Sequence, residues 1–373
     1  MTQPVKYHFG GFPPSNLDWQ QLLPLVGPAS AAVARYDGML SALPNAAVLL
    51  SPLMTQEAVL SSRIEGTQAT MGEVLAFEAG KEQMDVSEEK KGDIEEILNY
   101  RKAMWRAEEL LKEFPLCQRV VKETHAVLLD GVRGHNKSPG EYRRIPNWIG
   151  PPGCKMEDAR YVPIGADALP EAMGRWEKYI HEKVPDRLVQ LGILHAEFEA
   201  LHPFLDGNGR LGRMLIPLFM AKHGLIRAPM FYISAFFERN RDEYYERLLA
   251  VSRDGDWTGW IVFFLKSVIA QAIENQQKAQ AIGALYDRTL RQIADLTRSQ
   301  YSVHAAEFLF RQPIFKTSDF YHVPTLTPAS GRRILDVLQS ANFFTELSPA
   351  SGRRPAVLAF KTLLNLAEGQ EVF

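Results

Sequence analysis

Apolar side chains recur every three to four positions along most of this chain, the spacing of helices that bury one face. From Leu22 that spacing is interrupted at Gly27-Pro28 and again near Pro44-Asn45, which predicts helices separated at those points. Residues 55–65, TQEAVLSSRIE, predict a further helix, with Gly66 where a stop is expected. Residues 81–93, KEQMDVSEEKKGD, predict a charged, solvated connection or a helix start, and residues 94–114 a long amphipathic helix. Helical spacing returns over residues 169–199, restarts near Asn208, and covers 242–252 and then Trp257 to about Leu296.

Three stretches depart from that pattern. Residues 1–20 read as an irregular arm carrying Gly10-Gly11, Pro13-Pro14 and Ser15-Asn16. Residues 131–163 are rich in Gly, Pro, Asn and Arg, with short strand-like pieces at Asn147-Trp148-Ile149-Gly150 and Arg160-Tyr161-Val162-Pro163. A hairpin or ordered loop laid over a helical body is expected there. In the tail, residues 304–311, 317–321 and 328–340 predict three helices, and residues 343–360 two strands around Ser348-Pro349-Ala350-Ser351-Gly352. Helix, helix, helix, hairpin is the order of a winged helix-turn-helix. The expected fold class is mainly α: a helical bundle with a β-hairpin flap and a small C-terminal winged helix-turn-helix domain.

Composition narrows the function classes. The 373 residues suggest two or three domains. A net charge of −2 excludes nucleic-acid binding by bulk charge, though not through a local patch. Cys117 and Cys154 stand alone with no CxxC spacing, so neither a disulfide framework nor a cysteine zinc site is available. The N-terminus has no basic-then-apolar signal pattern, and apolar runs such as residues 261–265 fall far short of the ~20 residues that span a bilayer. The expectation is a cytoplasmic protein that does not engage membranes.

Chemistry concentrates in residues 202–213, HPFLDGNGRLGR. Pro203 and the following glycines stop any helix entering from Glu199, so His202 falls at a helix-to-loop junction. Gly207-Asn208-Gly209 lets backbone N–H groups point one way at the start of the next helix, which is an anion site. Arg210 and Arg213 share that helix's first turns and offer planar forks to phosphate oxygens. Asp206 is a hard oxygen ligand suited to a Mg²⁺ that bridges phosphates. His202 is the one group there able to take a proton near neutral pH.

The segment resembles the core motif of the Fic (filamentation induced by cAMP) family, His-x-Phe-x-Asp/Glu-Gly-Asn-Gly-Arg-x-x-Arg, and matches it at every specified position from His202 to Arg213. The resemblance implies a protein adenylyltransferase that moves AMP from ATP to a Ser, Thr or Tyr hydroxyl of a target protein and releases pyrophosphate. It makes His202 the general base and Asp206 the Mg²⁺ ligand. Asn208, with the backbone of Gly207 and Gly209, binds the α-phosphate region, while Arg210 and Arg213 orient the β- and γ-phosphates. Residues 147–163 resemble the family's flap, which holds an extended target segment beside the histidine. Asn240, followed by Tyr244-Tyr245, resembles the segment that closes over the nucleotide base. The similarity covers about residues 15 to 265, and the tail matches the winged helix of some members. It implies three regions: 1–110 carrying an inhibitory helix, 111–285 as the catalytic core with its flap near 145–163, and 286–373 as the winged-helix module. Self-modification and a homodimer are further expectations.

Ser61-Ser62-Arg63-Ile64-Glu65-Gly66 fits the family's inhibitory pattern, Ser/Thr-x-x-x-Glu-Gly/Asn. Ser61 and Glu65 lie four apart on one helix face. A glutamate presented to Arg213 would form a bidentate pair and occupy donors meant for the γ-phosphate. Some braked members also remove AMP, and the sequence leaves the dominant direction open.

His195, Glu199 and His202, at i, i+4 and i+7, would suit a zinc hydrolase, but there is no HExxH and the glycine loop would go unexplained. A DNA-binding transcriptional regulator would use Arg332, Arg333, Arg353 and Arg354 of the tail. Seven basic against six acidic residues from Tyr301 onward are thin for phosphate-driven binding, so a target-docking or dimer role is favoured. Other donors, supplying phosphate, phosphocholine or UMP, are disfavoured by the intact phosphate motif.

Overall fold

The computed structural model describes residues 3–80 and 87–371. The expected charged connection of residues 81–93 therefore lies partly, at 81–86, outside the described residues. In chain order the elements are β1 (Val5–Lys6), α1 (Trp19–Ala42), α2 (Ala46–Leu49), α3 (Ser51–Ile64), α4 (Met71–Glu78), α5 (Glu88–Glu113) and α6 (Gln118–Leu128). They continue with β2 (Tyr161–Val162), α7 (Leu169–Ile180), α8 (Arg187–Leu201), α9 (Asn208–Lys222), α10 (Ser234–Arg239), α11 (Arg241–Asp254) and α12 (Trp257–Thr297). The tail holds α13 (Ser302–Arg311), β3 (Ile314–Lys316), α14 (Thr317–Tyr321), α15 (Pro328–Ser340), β4 (Thr345–Ser348), β5 (Val357–Ala359) and α16 (Lys361–Glu368).

The chain forms two compact units. The first comprises Met1–Asp37, Leu60–Gly66 and Leu98–Ile273; the second comprises Gly38–Val59, Thr67–Ile97 and Glu274–Phe373. In the first, α8 is the central element. Leu188, Val189, Leu191, Ile193, Leu194 and Ala196, which between them face every side of it, are all buried, the signature of a helix with no solvent face. Trp176 of α7 and Trp260 of α12 are fully buried, and each indole N–H donates to an α8 carbonyl, Leu194 at 2.9 Å and Gly192 at 2.7 Å. Such anchors satisfy the polar edge of a large apolar ring.

Two expectations are corrected here. Helix α1 runs unbroken through Pro24 and Pro28. A proline removes one backbone hydrogen bond, and burial of Leu22, Ala29, Ala32, Val33 and Tyr36 along one face holds the helix together despite that loss. The arm of residues 1–20 is not wholly irregular: Val5 and Lys6 pair in parallel with Tyr161 and Val162. A two-residue strand is too short to show alternation in sequence.

In the flap region, Ile149 bridges Tyr161 in antiparallel fashion. The Ile149 N–H donates to the Tyr161 carbonyl at 2.9 Å, and the Arg160 N–H donates to the Ile149 carbonyl at 2.8 Å. In the second unit, residues of the tail form an antiparallel sheet in the order β3-β5-β4 beside α13, α14 and α15. The strand β3 and the terminal α16 are additions to the sequence-based order. No helix of the described residues is long and apolar enough to cross a membrane.

Candidate active site

Helix α8 ends at His202, whose backbone is left-handed (φ 46°, ψ 61°). That conformation costs a non-glycine residue roughly 1–2 kcal/mol, so it persists only where neighbours enforce it. The loop that follows is knotted by Asn208. Its side-chain oxygen accepts from the Phe204 N–H at 2.8 Å, and its amide donates back to the Phe204 carbonyl at 2.9 Å. Gly207, at φ 75°, caps α9 in a conformation that favours glycine. His125 of α6 braces the loop from beneath its backbone. Its ring stacks on Phe204 with centroids 3.7 Å apart, its Nε2 meets the Asp206 carbonyl at 2.9 Å, and its Nδ1 accepts from the Gly140 N–H at 2.9 Å.

Arg213, 1% exposed, reaches from α9 to the last turn of α3. Its Nε donates to the Ser61 hydroxyl at 2.9 Å, while Nη2 donates to the Ser61 carbonyl at 2.8 Å and to Glu65 Oε1 at 2.7 Å. The expected two-pronged pairing is thus replaced by a single prong to Glu65. The competing acceptor is the Ser61 carbonyl, one of the orphan carbonyls of a helix's last turn. A methyl group on Gly209 would lie 2.2 Å from Glu65 Oε1. The carboxylate therefore rests directly on the glycine backbone at the N-terminus of α9, where an anion is most favoured.

Glu65, Gly209, Arg213 and His202 line one cavity of about 640 Å³, with Ile149, Pro151, Arg160, Tyr161, Glu199, Arg241 and Tyr245 completing much of its wall. Asp206, Gly207, Asn208 and Arg210 form the adjoining loop and helix start. Asp206 Oδ1 accepts from the Gly207 N–H at 2.6 Å and stands 3.4 Å from Arg210. Among the described residues no three or more His, Cys, Asp or Glu gather to hold a metal. Asp206, a hard carboxylate whose side chain is part-exposed beside the start of α9, is the residue that would hold a Mg²⁺ there. Asn240 lies between α10 and α11 with its amide donating to the Phe236 carbonyl, and does not line the cavity, whereas its neighbour Arg241 does.

The electrostatics separate the cavity's titratable groups. Burial pushes the Glu65 carboxyl up, but Arg213, with help from Arg210 and His202, overrides it and holds the group below the ordinary glutamate range. Glu199 is the opposite case. Burial pushes it up to about 7, with Arg213 opposing and Glu65 reinforcing the rise. Its Oε1 is buried without a hydrogen-bond partner. Burial lowers His202 to about 4, so its imidazole is neutral at physiological pH. Its Nδ1 is buried among protein atoms, and the residue lines the cavity. His195 spends its nitrogens on the Gly212 carbonyl (3.2 Å) and the Tyr244 hydroxyl (2.8 Å), the bonding of a satisfied core histidine.

Sequence reasoning missed Arg160 and Arg241, which line the cavity. Neither sits on a periodic pattern, and only Arg241, beside the noted Asn240, had a local pointer. Glu199 was noticed, but as a metal ligand.

A helix N-terminus, a neutral histidine and a buried arginine thus open on one cavity of a mainly helical protein. The chain belongs to the Fic/DOC family: the profile of the Fic/DOC family N-terminal region matches residues 23–109 and that of the Fic/DOC family matches residues 115–220, together just over half of the chain. A probable protein adenylyltransferase of Aquifex aeolicus is 40% identical over 68 residues, 18% of this chain and 19% of that protein. Protein adenylyltransferase Fic of Drosophila grimshawi is 23% identical over 160 residues, 41% of this chain and 29% of that protein. The chain thus spans less than a third of the length of these relatives. Among solved structures, a Fic family protein from Desulfovibrio desulfuricans superposes with a TM-score of 0.60 at 19% identity, covering 93% of this chain and 98% of that one. A Fic domain containing signaling protein from Bacteroides thetaiotaomicron gives 0.54 at 16% identity, covering 69% and 97%. The mainly helical Fic-type fold is thereby established.

Proposed function

We propose that the protein is an adenylyltransferase that transfers AMP from ATP to a Ser, Thr or Tyr hydroxyl of a target protein, and that Glu65 restrains it. The observation that carries this reading is the Glu65 carboxylate seated on Arg213 and Gly209, in the same cavity as His202. A carboxylate in a phosphate cradle is a stand-in for the anion that belongs there.

In the transfer, the target hydroxyl oxygen forms a bond to the α-phosphorus as the bond between that phosphorus and the bridging oxygen to the β-phosphate breaks. The hydroxyl proton passes to Nε2 of His202, and pyrophosphate leaves with the bridging oxygen. The N–H groups of Gly209 and its neighbours at the start of α9, with Arg210 and Arg213, hold the phosphates in line, so that positioning and charge stabilisation supply most of the rate. Mg²⁺ at Asp206 would neutralise phosphate charge. The segment from Asn147 to Pro163 holds the target chain in extended form, a use of strand pairing. The tail serves as a winged helix that docks a partner. Three helices beside a three-stranded antiparallel sheet support that reading. Arg333 donates to the Thr297 carbonyl and Arg332 lies over the Tyr321 ring, which leaves them poorly placed as a DNA-reading pair.

The test is the intact mass of wild type, Glu65→Gly and Glu65→Gly/His202→Ala after incubation with ATP and Mg²⁺. An AMP adduct on the Glu65→Gly protein alone supports base, brake and donor together. If ATP fails to bind any of the three by calorimetry, the donor assignment is wrong.

A further inference from the structure

The carbonyls of Leu201, His202 and Pro203 follow one another at the end of α8, where helix carbonyls lose their intrahelical partners. One residue takes all three. The Arg143 backbone N–H donates to the Pro203 carbonyl at 2.9 Å, its Nε to the His202 carbonyl at 2.9 Å, and its Nη2 to the Leu201 carbonyl at 3.2 Å. Nη2 also bonds the Ile164 carbonyl, and Nη1 stands 3.5 Å from the Ile145 carbonyl. The guanidinium donates to backbone carbonyls alone, and the residue is 3% exposed. A buried guanidinium at a helix C-terminus is favoured by the helix dipole, and its planar set of donors can serve several acceptors at fixed angles, which an ammonium cannot.

We propose that Arg143 is a positioning residue that holds His202 in its left-handed conformation and so aims the imidazole into the cavity. This rests on the reading of His202 as the base. The logic is geometric. A left-handed histidine before a proline has no backbone preference for that state. Pinning the carbonyls on both sides of its Cα fixes the direction of the Cα–Cβ bond from which the imidazole projects. Asn147 adds a weaker tie, its amide donating to the Phe204 carbonyl at 3.2 Å. The same positive charge, placed beside His202, also disfavours protonation of the imidazole, though burial is the larger cause. Arg143 joins residues 145 and 164, at the two ends of the flap region, to the histidine, so flap and base are held by one side chain.

The experiment uses the full chain with its nine histidines labelled with ¹³C, the His202 signal being assigned by its loss in His202→Ala. In Arg143→Met the His202 Cα shift should leave the left-handed range, or split into several states, while most other histidine signals stay in place. Arg143→Lys should retain most of the wild-type shift. In the Glu65→Gly background, kcat for AMP transfer should fall by about 10²-fold with Met and by much less with Lys, the scale expected when a base is misplaced by an ångström. The KM for ATP should stay within about twofold in both. An unmoved His202 signal in folded Arg143→Met overturns the proposal. So does a pattern in which Lys and Met move it equally. If the Met protein does not fold, Arg143→Gln and Arg143→Lys supply the comparison. The chemical shift reads the positioning even if no AMP transfer occurs, so failure of the activity and failure of the clamp are told apart.

Discussion

Glu65 Oε1 lies 2.7 Å from Arg213 Nη2, although 148 positions separate the two residues in the chain. Arg213 is buried and Glu65 keeps 32% of its side chain open to the cavity, so this ion pair is half-desolvated. The contact competes directly with any phosphate drawn to the same donors. Removing Glu65 should therefore strengthen binding of ATP, which brings a γ-phosphate, and leave AMP binding nearly unchanged. We expect Glu65→Gly to improve ATP affinity by about 5- to 50-fold, the usual scale of coupling between competing contacts. Equal changes for ATP and AMP by calorimetry would place the competition elsewhere.

Ser61 holds the same arginine through its hydroxyl and its carbonyl. Ser61→Ala removes one acceptor and leaves the carbonyl and Glu65 in place. Its effect on ATP affinity should lie between wild type and Glu65→Gly, within about tenfold of wild type, because a typical hydrogen bond contributes only about 0.5–1.5 kcal/mol net and two other acceptors remain. A Ser61→Ala protein that binds ATP as tightly as Glu65→Gly would make the serine, not the glutamate, the main restraint.

Gly209 tests whether glutamate and phosphate share one position. A Cβ there would meet Glu65 Oε1 at 2.2 Å and Arg213 Nη1 at 3.0 Å. In an ordinary helix, alanine for glycine stabilises by about 1 kcal/mol. Here the methyl group fills the anion seat. Gly209→Ala placed in the Glu65→Gly background should cut ATP binding by about tenfold or more even though the glutamate is gone, as read by calorimetry. Undiminished binding would put the phosphates away from the start of α9.

What could be read from the sequence was local and chemical. The segment from His202 to Arg213 is contiguous, so glycines, proline and charges announce a loop-to-helix anion site without any tertiary knowledge. Ser61 and Glu65 share a helix turn, and their spacing suffices to place them on one face. Arg143 is different. It takes its role from the three carbonyls at the end of α8, some sixty residues away, and carbonyls leave no mark in sequence. His125 likewise reads as one more buried helix residue until its ring is found against Phe204. The unbroken α1 shows the opposite failing, in which a strong local signal, Gly27-Pro28, yields to burial of the helix face.

Glu199 gives the protein a pH dependence of defined sign. Its folded-state value near 7 lies above that of an unfolded glutamate, so between about 4.5 and 7 the folded chain holds a proton that the unfolded chain has released. That contribution favours the folded state at low pH and is lost as the pH rises through 7. Glu65, held low, acts below this window, whereas His202, about 4 in the fold against an ordinary 6.5, adds an opposing rise in stability that is common to wild type and a Glu199 variant. From urea unfolding, the stability of wild type relative to Glu199→Gln should fall between pH 5 and pH 8, the histidine contributions cancelling in the difference. Parallel changes in the two proteins would mean that Glu199 ionises normally.

His125 carries the last prediction because both of its ring nitrogens serve backbone groups: one receives the Gly140 N–H and the other meets the Asp206 carbonyl. Nδ1 can accept only when it carries no proton, so the donor to Asp206 is Nε2 and the ring is neutral. Burial lowers its pKa to about 4, which keeps that tautomer across the physiological range. His125→Leu preserves bulk against Phe204 but strands two backbone polar groups. The expected cost is about 2–6 kcal/mol in urea unfolding, the sum of two penalties of about 1–3 kcal/mol for an unpaired buried polar group. The loop carrying Asp206 and Gly207 should loosen with it, so amide exchange at Gly207 should quicken more than exchange in the middle of α8. A uniform acceleration across the chain would mean that His125 supports the unit as a whole and does not brace this loop.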